Sequence, residues 1–146
     1  MAYSTQSDIS PAKLSTEQLK QLTSEDGLSI VASVVTQAIE EADAEIDSYA
    51  GRRYVVPMTP VPAKVKQLST AIAVFKLFEK RASTFAGEIP NAYRAMYDDA
   101  MRFLRDVASG KANIEGATPL SQTHSPQGGS FYSNERVFTK DSLDIL

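Results

Sequence analysis

Asp43-Ala44-Glu45-Ile46-Asp47-Ser48-Tyr49-Ala50-Gly51-Arg52-Arg53-Tyr54-Val55-Val56-Pro57-Met58-Thr59-Pro60-Val61-Pro62 is the stretch on which the fold turns. Its first half keeps helical spacing, with Ile46 and Tyr49 three residues apart and carboxylates filling other positions. Gly51 then stands where helices commonly stop. Prolines follow at positions 57, 60 and 62. Each pushes the residue before it away from helical geometry, so no helix runs through this span. Pro62 itself suits the first turn of a new helix, where its missing N–H would have no partner anyway. The stretch predicts an extended joint between two long helices.

Upstream of the joint, Val31, Val34, Val35, Ala38, Ala42, Ile46 and Tyr49 recur at helical spacing and predict a helix over about 30–50, with Ser29 as its cap. Downstream, Val65, Leu68, Ala71, Ile72, Phe75 and Phe78 predict a second helix over about 62–83. Val74 and Leu77 widen its apolar face until it covers most of the circumference. Such a helix is either central to a bundle or pressed against a neighbouring subunit. After Gly87 and Pro90, a third helix over about 91–109 has the cleanest stripe: Tyr93, Met96, Tyr97, Ala100, Phe103, Leu104 and Val107, closed by Gly110. Its aromatics, with Phe75 and Phe78, read as core. Two short N-terminal helices are also expected, one capped by Thr5 and one opened by the capping box Ser15-Thr16-Glu17-Gln18. Leu19 and Leu22 would be buried in the second, and Glu25-Asp26-Gly27 is a turn.

From Lys111 onward the helical period disappears. Gly116, Pro119, Ser121, Ser125, Pro126, Gly128 and Gly129 precede apolar residues at Phe131, Tyr132, Val137, Phe138 and Leu143. That order is expected of a linker followed by a docking arm. About 36 residues at roughly 3.3 Å each would reach about 120 Å if extended. The expected architecture is all-α: a small bundle of three long helices plus short N-terminal helices over residues 1–110, with an extended C-terminal arm over 111–146.

Bulk properties exclude several functions. At 146 residues there is room for one domain and an arm. A net charge of −3 opposes gripping nucleic acid, which requires an excess of Lys and Arg. There is no cysteine, hence no disulfide, thiolate metal site or thiol nucleophile. The opening Met1-Ala2-Tyr3-Ser4-Thr5-Gln6 does not read as a signal peptide, and no apolar run approaches the roughly 20 residues of a membrane span. His124 is the single histidine, set in a Ser/Pro/Gly-rich stretch without a nucleophile or companion ligands. Phosphate-cradling glycine loops are absent. No catalytic residue, cofactor or metal site is expected, and the chain does not read as an enzyme.

Glu40, Asp43 and Asp47 share one helical face, while Glu41 and Glu45 form an i,i+4 pair on another. A solvated face is the favoured reading; an electronegative wall facing a DNA channel comes next, and Mg²⁺ binding or acid–base chemistry last. Arg52, Arg53, Lys64, Lys66, Lys80 and Arg81 form a scattered basic set, better read as helix-end charges than as a phosphate-contacting surface.

On these residues the chain resembles the Mu-like phage family of head–tail connector (adaptor, or head completion) proteins. The resemblance is carried by Glu25-Asp26-Gly27, by Ala38 to Tyr49 with its Asp43–Tyr49 core, by Gly51-Arg52-Arg53-Tyr54, Pro57 and Val61-Pro62, and by the helix containing Ala71-Ile72-Ala73. Met1-Ala2-Tyr3, Tyr97, Leu104 and Gly110-Lys111-Ala112 also look similar, and Arg136 to Leu143 resembles the family's tails. The resemblance implies copies assembled as a ring beneath the portal, following its twelvefold symmetry and extending the DNA channel towards the tail. Implied partners are further copies of the chain, the portal protein and a tail or head-closure protein. DNA would pass without being held, and no membrane is involved. The implied location is the virion neck, with the host cytoplasm during assembly. Phe131, Tyr132, Arg136, Val137, Phe138 and Leu143 would then make the docking contacts, and Glu40, Asp43 and Asp47 would face the channel. Two other readings stay open: a small cytoplasmic phage-encoded binding or regulatory module acting through the arm, and a metal-dependent enzyme using the carboxylates between Glu40 and Asp47.

Overall fold

A computed structural model describes residues 2–85 and 88–120, with residues 84 and 85 described by backbone alone. Five helices follow one another: α1 (Gln6–Ile9), α2 (Thr16–Thr23), α3 (Ala32–Ala50), α4 (Ala63–Phe85) and α5 (Asn91–Ser109). No strand occurs among the described residues, and the fold is all-α as the periodicity predicts. Only an isolated antiparallel bridge joins Tyr54 to Pro119.

The helix termini show local chemistry at work. At α2 the expected capping box forms: Gln18 N–H donates to Ser15 Oγ at 3.2 Å, and Ser15 N–H donates to Gln18 Oε1 at 3.0 Å. At α3 the expectation fails, because the helix starts two residues late and Val31, not Ser29, is its N-cap. The Val31 N–H instead donates to Thr23 Oγ1 at the end of α2, at 3.2 Å. A neighbouring helix thus fixes this terminus, which local spacing could not reveal. Gly51 ends α3 with φ −60°, so it is not needed for a left-handed turn. It is needed for space, since a Cβ there would stand 2.8 Å from the Asp47 carbonyl oxygen. Gly110 does use positive φ (+83°), and its N–H closes the last turn of α5.

The core gathers around α4, which touches each of the other four helices. Ala71, Ile72, Ala73 and Val74 are buried in succession, and Val65, Leu68 and Leu77 extend the buried surface along its length. Ile9 and Leu14, Leu19, Ile46, and Leu104 and Val107 bring the surrounding elements into the same cluster. The centre of the wide apolar face of α4 is therefore covered within the chain, while Phe75 and Phe78 stay half-buried at its edge. The α4–α5 seam is aromatic: Phe75 stacks on Tyr97 with ring centres 4.1 Å apart, and Phe78 on Tyr93 at 4.6 Å. These rings lie half-buried on the flank of the core.

The packed body runs past residue 110, where the arm was expected to begin. Ile114 is buried, and its N–H donates to the Tyr54 hydroxyl at 3.0 Å. Val55 N–H donates to the Thr118 carbonyl, and Leu120 N–H to the Arg53 carbonyl. The Gly/Pro composition of this segment hid the contacts, which depend on Arg53, Tyr54 and Val55, far away in sequence. Packed contacts therefore continue through Leu120, the last of the described residues.

Ile72 is fully buried at the centre of α4. Ile72→Ala is expected to destabilise the fold by about 2–5 kcal/mol in urea unfolding. Leu28→Ser, at a side chain 77% exposed, is expected to change stability by less than about 0.5 kcal/mol.

Candidate functional site

The carboxylates of α3 do not form one surface. Glu40 and Glu41 are exposed, Glu45 and Asp47 are half-buried, and Asp43 is buried at 7% exposure. This corrects the expectation that Asp43 faces solvent or a channel. Asp43 Oδ1 accepts from the Ser69 hydroxyl at 2.6 Å, and Oδ2 accepts from the Tyr3 N–H at 2.8 Å. Ser69 Oγ also lies 2.8 Å from Ser4 Oγ. The Tyr3 hydroxyl donates to Asp47 and accepts from the Met58 N–H at 3.0 Å. The N-terminal strand of chain, α3, the proline joint and α4 are thus tied by one polar knot inside an apolar body.

This knot gives the Asp43 carboxylate a structural role. Burial pushes the Asp43 carboxyl up, and the bonds from Ser69 and Tyr3 pull it partly back. Both oxygens are occupied by structural donors, and among the described residues no group of three metal-ligating side chains comes together. The knot escaped sequence reading because its partners lie 26 and 40 positions apart. The one local signal was an acidic residue at a position whose helical neighbours Ile39 and Ile46 point inward.

Glu45 has a different setting. It accepts from the Tyr97 hydroxyl at 3.1 Å and lies 3.8 Å from the Lys76 ammonium. Burial, then the Glu45 charge, pushes the Tyr97 hydroxyl up to about 12 from 10. The basic residues mostly serve the fold. The Arg53 guanidinium donates to the Ala112 carbonyl and to Asn113 Oδ1, each at 3.1 Å, and so holds the turn after α5. Lys66 pairs with Asp8 at 2.8 Å, and this ion pair with the Thr5 bonds holds the Asp8 carboxyl below its usual range.

Several open recesses remain among the described residues, two of them of similar size. One, of about 510 Å³, lies between Ala2–Gln6 and α3, beside Glu40, Asp43 and Asp47. The other, of about 500 Å³, lies between α2, the far end of α4 and the start of α5. Leu22, Phe78 and Tyr93 supply its apolar lining, and Glu25, Asp26 and Glu88 its carboxylates. Nothing in the sequence pointed to this second recess, because its residues come from three separate segments. The expected docking residues Phe131, Tyr132, Arg136, Val137, Phe138 and Leu143 lie outside the described residues, as does His124.

Asp43→Ala is expected to cost about 2–3 kcal/mol in urea unfolding, because it orphans the Tyr3 N–H and the Ser69 hydroxyl. Asp43→Asn is expected to cost less than about 1 kcal/mol, since its amide can donate to Ser69 Oγ while its carbonyl keeps the Tyr3 N–H. A second test is alkaline. Tyr97 has a folded pKa above its unfolded one, so its contribution is complete below pH 10 and is lost as pH rises through 12. The urea midpoint is expected to fall over that window, and to fall less steeply in Tyr97→Phe.

Comparison with known proteins places these features in a family. The family model for bacteriophage Mu Gp36 matches residues 3–133. That span covers the whole described body except Ala2 and continues through the Ser/Pro/Gly-rich stretch to Phe131 and Tyr132. A Mu-like prophage FluMu protein gp36 from Haemophilus influenzae is 36% identical over 96 residues, 66% of this chain and 62% of that protein. Gene product J of Escherichia phage Mu is 33% identical over 91 residues, 61% of this chain and 60% of that protein. The chain spans about three-fifths of the length of these relatives. By the match over residues 3–133, the chain belongs to the bacteriophage Mu Gp36 family.

Proposed function

We propose that the chain is a structural protein of the virion neck, a non-enzymatic connector that joins the portal to the tail as a ring around the DNA path. The observation that carries this reading is the family match across residues 3–133, which takes in both the helical body and the start of the aromatic C-terminal segment. Physical features support it. The body is a small helical bundle with buried polar groups satisfied by one another, suited to bearing load. A ring requires two different patches that meet between adjacent copies. The α4 surface from Leu68 to Val74 cannot be one of them, being covered internally. The open recesses and the segment after Leu120 are the surfaces left for that role.

Glu40 and Glu41 remain exposed on α3 and suit a wall that DNA passes without sticking. The reading makes the portal and a tail or head-closure protein its partners, beside further copies of the chain. A cytoplasmic regulatory module would require no place in the particle. Mass spectrometry of purified virions, with electron microscopy of the neck, separates the two. The chain is expected in mature particles as a ring between portal and tail; its absence from them would overturn the proposal.

A further inference from the structure

We propose that residues 131–138 of one copy dock into the recess between α2, α4 and α5 of an adjacent copy; this rests on the ring reading above. The recess has the chemistry for it. Phe78 and Tyr93 stack face to face at 4.6 Å yet stay half-buried, so part of the aromatic pair is open to the groove beside Leu22. Glu25 and Glu88 are exposed at its rim with Asp26, whose carboxyl is held low by the Ser24 hydroxyl and the Leu28 N–H. The basic group lining it, Arg81, is turned to the Ser24 carbonyl at 3.1 Å. A volume of about 500 Å³ lies within the roughly 300–1,000 Å³ typical of specific binding sites.

The segment Phe131-Tyr132-Ser133-Asn134-Glu135-Arg136-Val137-Phe138-Thr139-Lys140 matches that lining. It offers aromatic and aliphatic anchors for the Phe78–Tyr93 face, and Arg136 and Lys140 for the carboxylate rim. Aromatic and arginine side chains are the usual anchors of such contacts. Geometry favours an adjacent copy over the chain's own groove. Leu120 is bonded to Arg53, at the end of the bundle where α3 and α5 terminate. The recess sits at the start of α5, and 19 helical residues span about 28 Å. The eleven steps from Leu120 to Phe131 reach about 36–40 Å when fully extended. That length leaves little slack for passing around the chain's own surface, whereas a neighbour in a ring can present its groove directly.

The absence of cysteine makes a direct test clean. Gln21→Cys, exposed at the groove, is combined with Ser133→Cys in the full chain and oxidised. Disulfide-linked dimers and a higher ladder on non-reducing gels are expected. Ala63→Cys with Ser133→Cys, at the opposite end of α4, is expected to give none. Phe131→Ala with Phe138→Ala alters no residue of the described core and is expected to lower the ladder about tenfold or more. A fast-migrating intramolecular product, or no product, would overturn the proposal. Rings seen in virions without a ladder would sink this inference alone. A ladder from a protein missing in virions would sink the neck reading alone.

Discussion

The burial of the central turns of α4, Leu68 to Val74, on every side is what the rest of the structure is arranged around. Ala71 to Val74 are inaccessible in succession, which is possible only if helices or loops cover the whole circumference. α3 and α5 cover two sides, and α1 and α2 cover the remainder. Short helices of four and eight residues are not stable alone. Here they are held because α4 needs them as a cover. The consequence for function is that the body is saturated: Leu28, Val55 and Leu120 are its exposed large apolar side chains among the described residues. In the ring reading proposed above, cohesion with other copies would not come from the buried centre of α4. In the account proposed here it comes from recesses and from the C-terminal segment.

A second constraint is the polar knot beneath the N-terminus. Tyr3 contributes its backbone N–H to Asp43 and its hydroxyl to both Asp47 and Met58, so one residue ties together three segments. Apolar packing alone would leave the N-terminal residues free to slide along α3, because burial is non-directional. The hydrogen bonds fix their register. The 54–62 joint is held in turn by Tyr54, whose hydroxyl receives the Ile114 N–H, and by the Arg53 and Val55 backbone bonds to Leu120 and Thr118. The stretch that identifies the fold in sequence is also where the N-terminus, α3, α4 and the tail of the body converge.

Much of this was legible in the residues. The three long helices follow from spacing, and α5 spans Asn91–Ser109, the range that Pro90 and Gly110 mark out. The Ser15–Gln18 capping box is a local contact and was readable for that reason. What was not readable depends on distant partners. Ser29 lost the capping role because Thr23 supplies the bond from another helix. Asp43 looked like part of a charged surface because Ser69 and Tyr3 could not be seen beside it. Residues 111–120 looked like linker because their partners, the Tyr54 hydroxyl, the Arg53 guanidinium and the Arg53 and Val55 backbone, lie some 60 positions away, and the segment's own backbone groups carry no sequence signature. The groove of Leu22, Phe78 and Tyr93 is invisible in sequence for the same reason, as it exists only once three elements meet.

In the proposed reading the residues up to Leu120 fold on their own, and those after it supply the association between copies. Sedimentation velocity of the full chain beside residues 1–120, over a range of concentrations, tests it most directly. A folded, concentration-independent monomer is expected for residues 1–120, and growing oligomers for the full chain. Equal association by both, or failure of the shorter chain to fold, would contradict it.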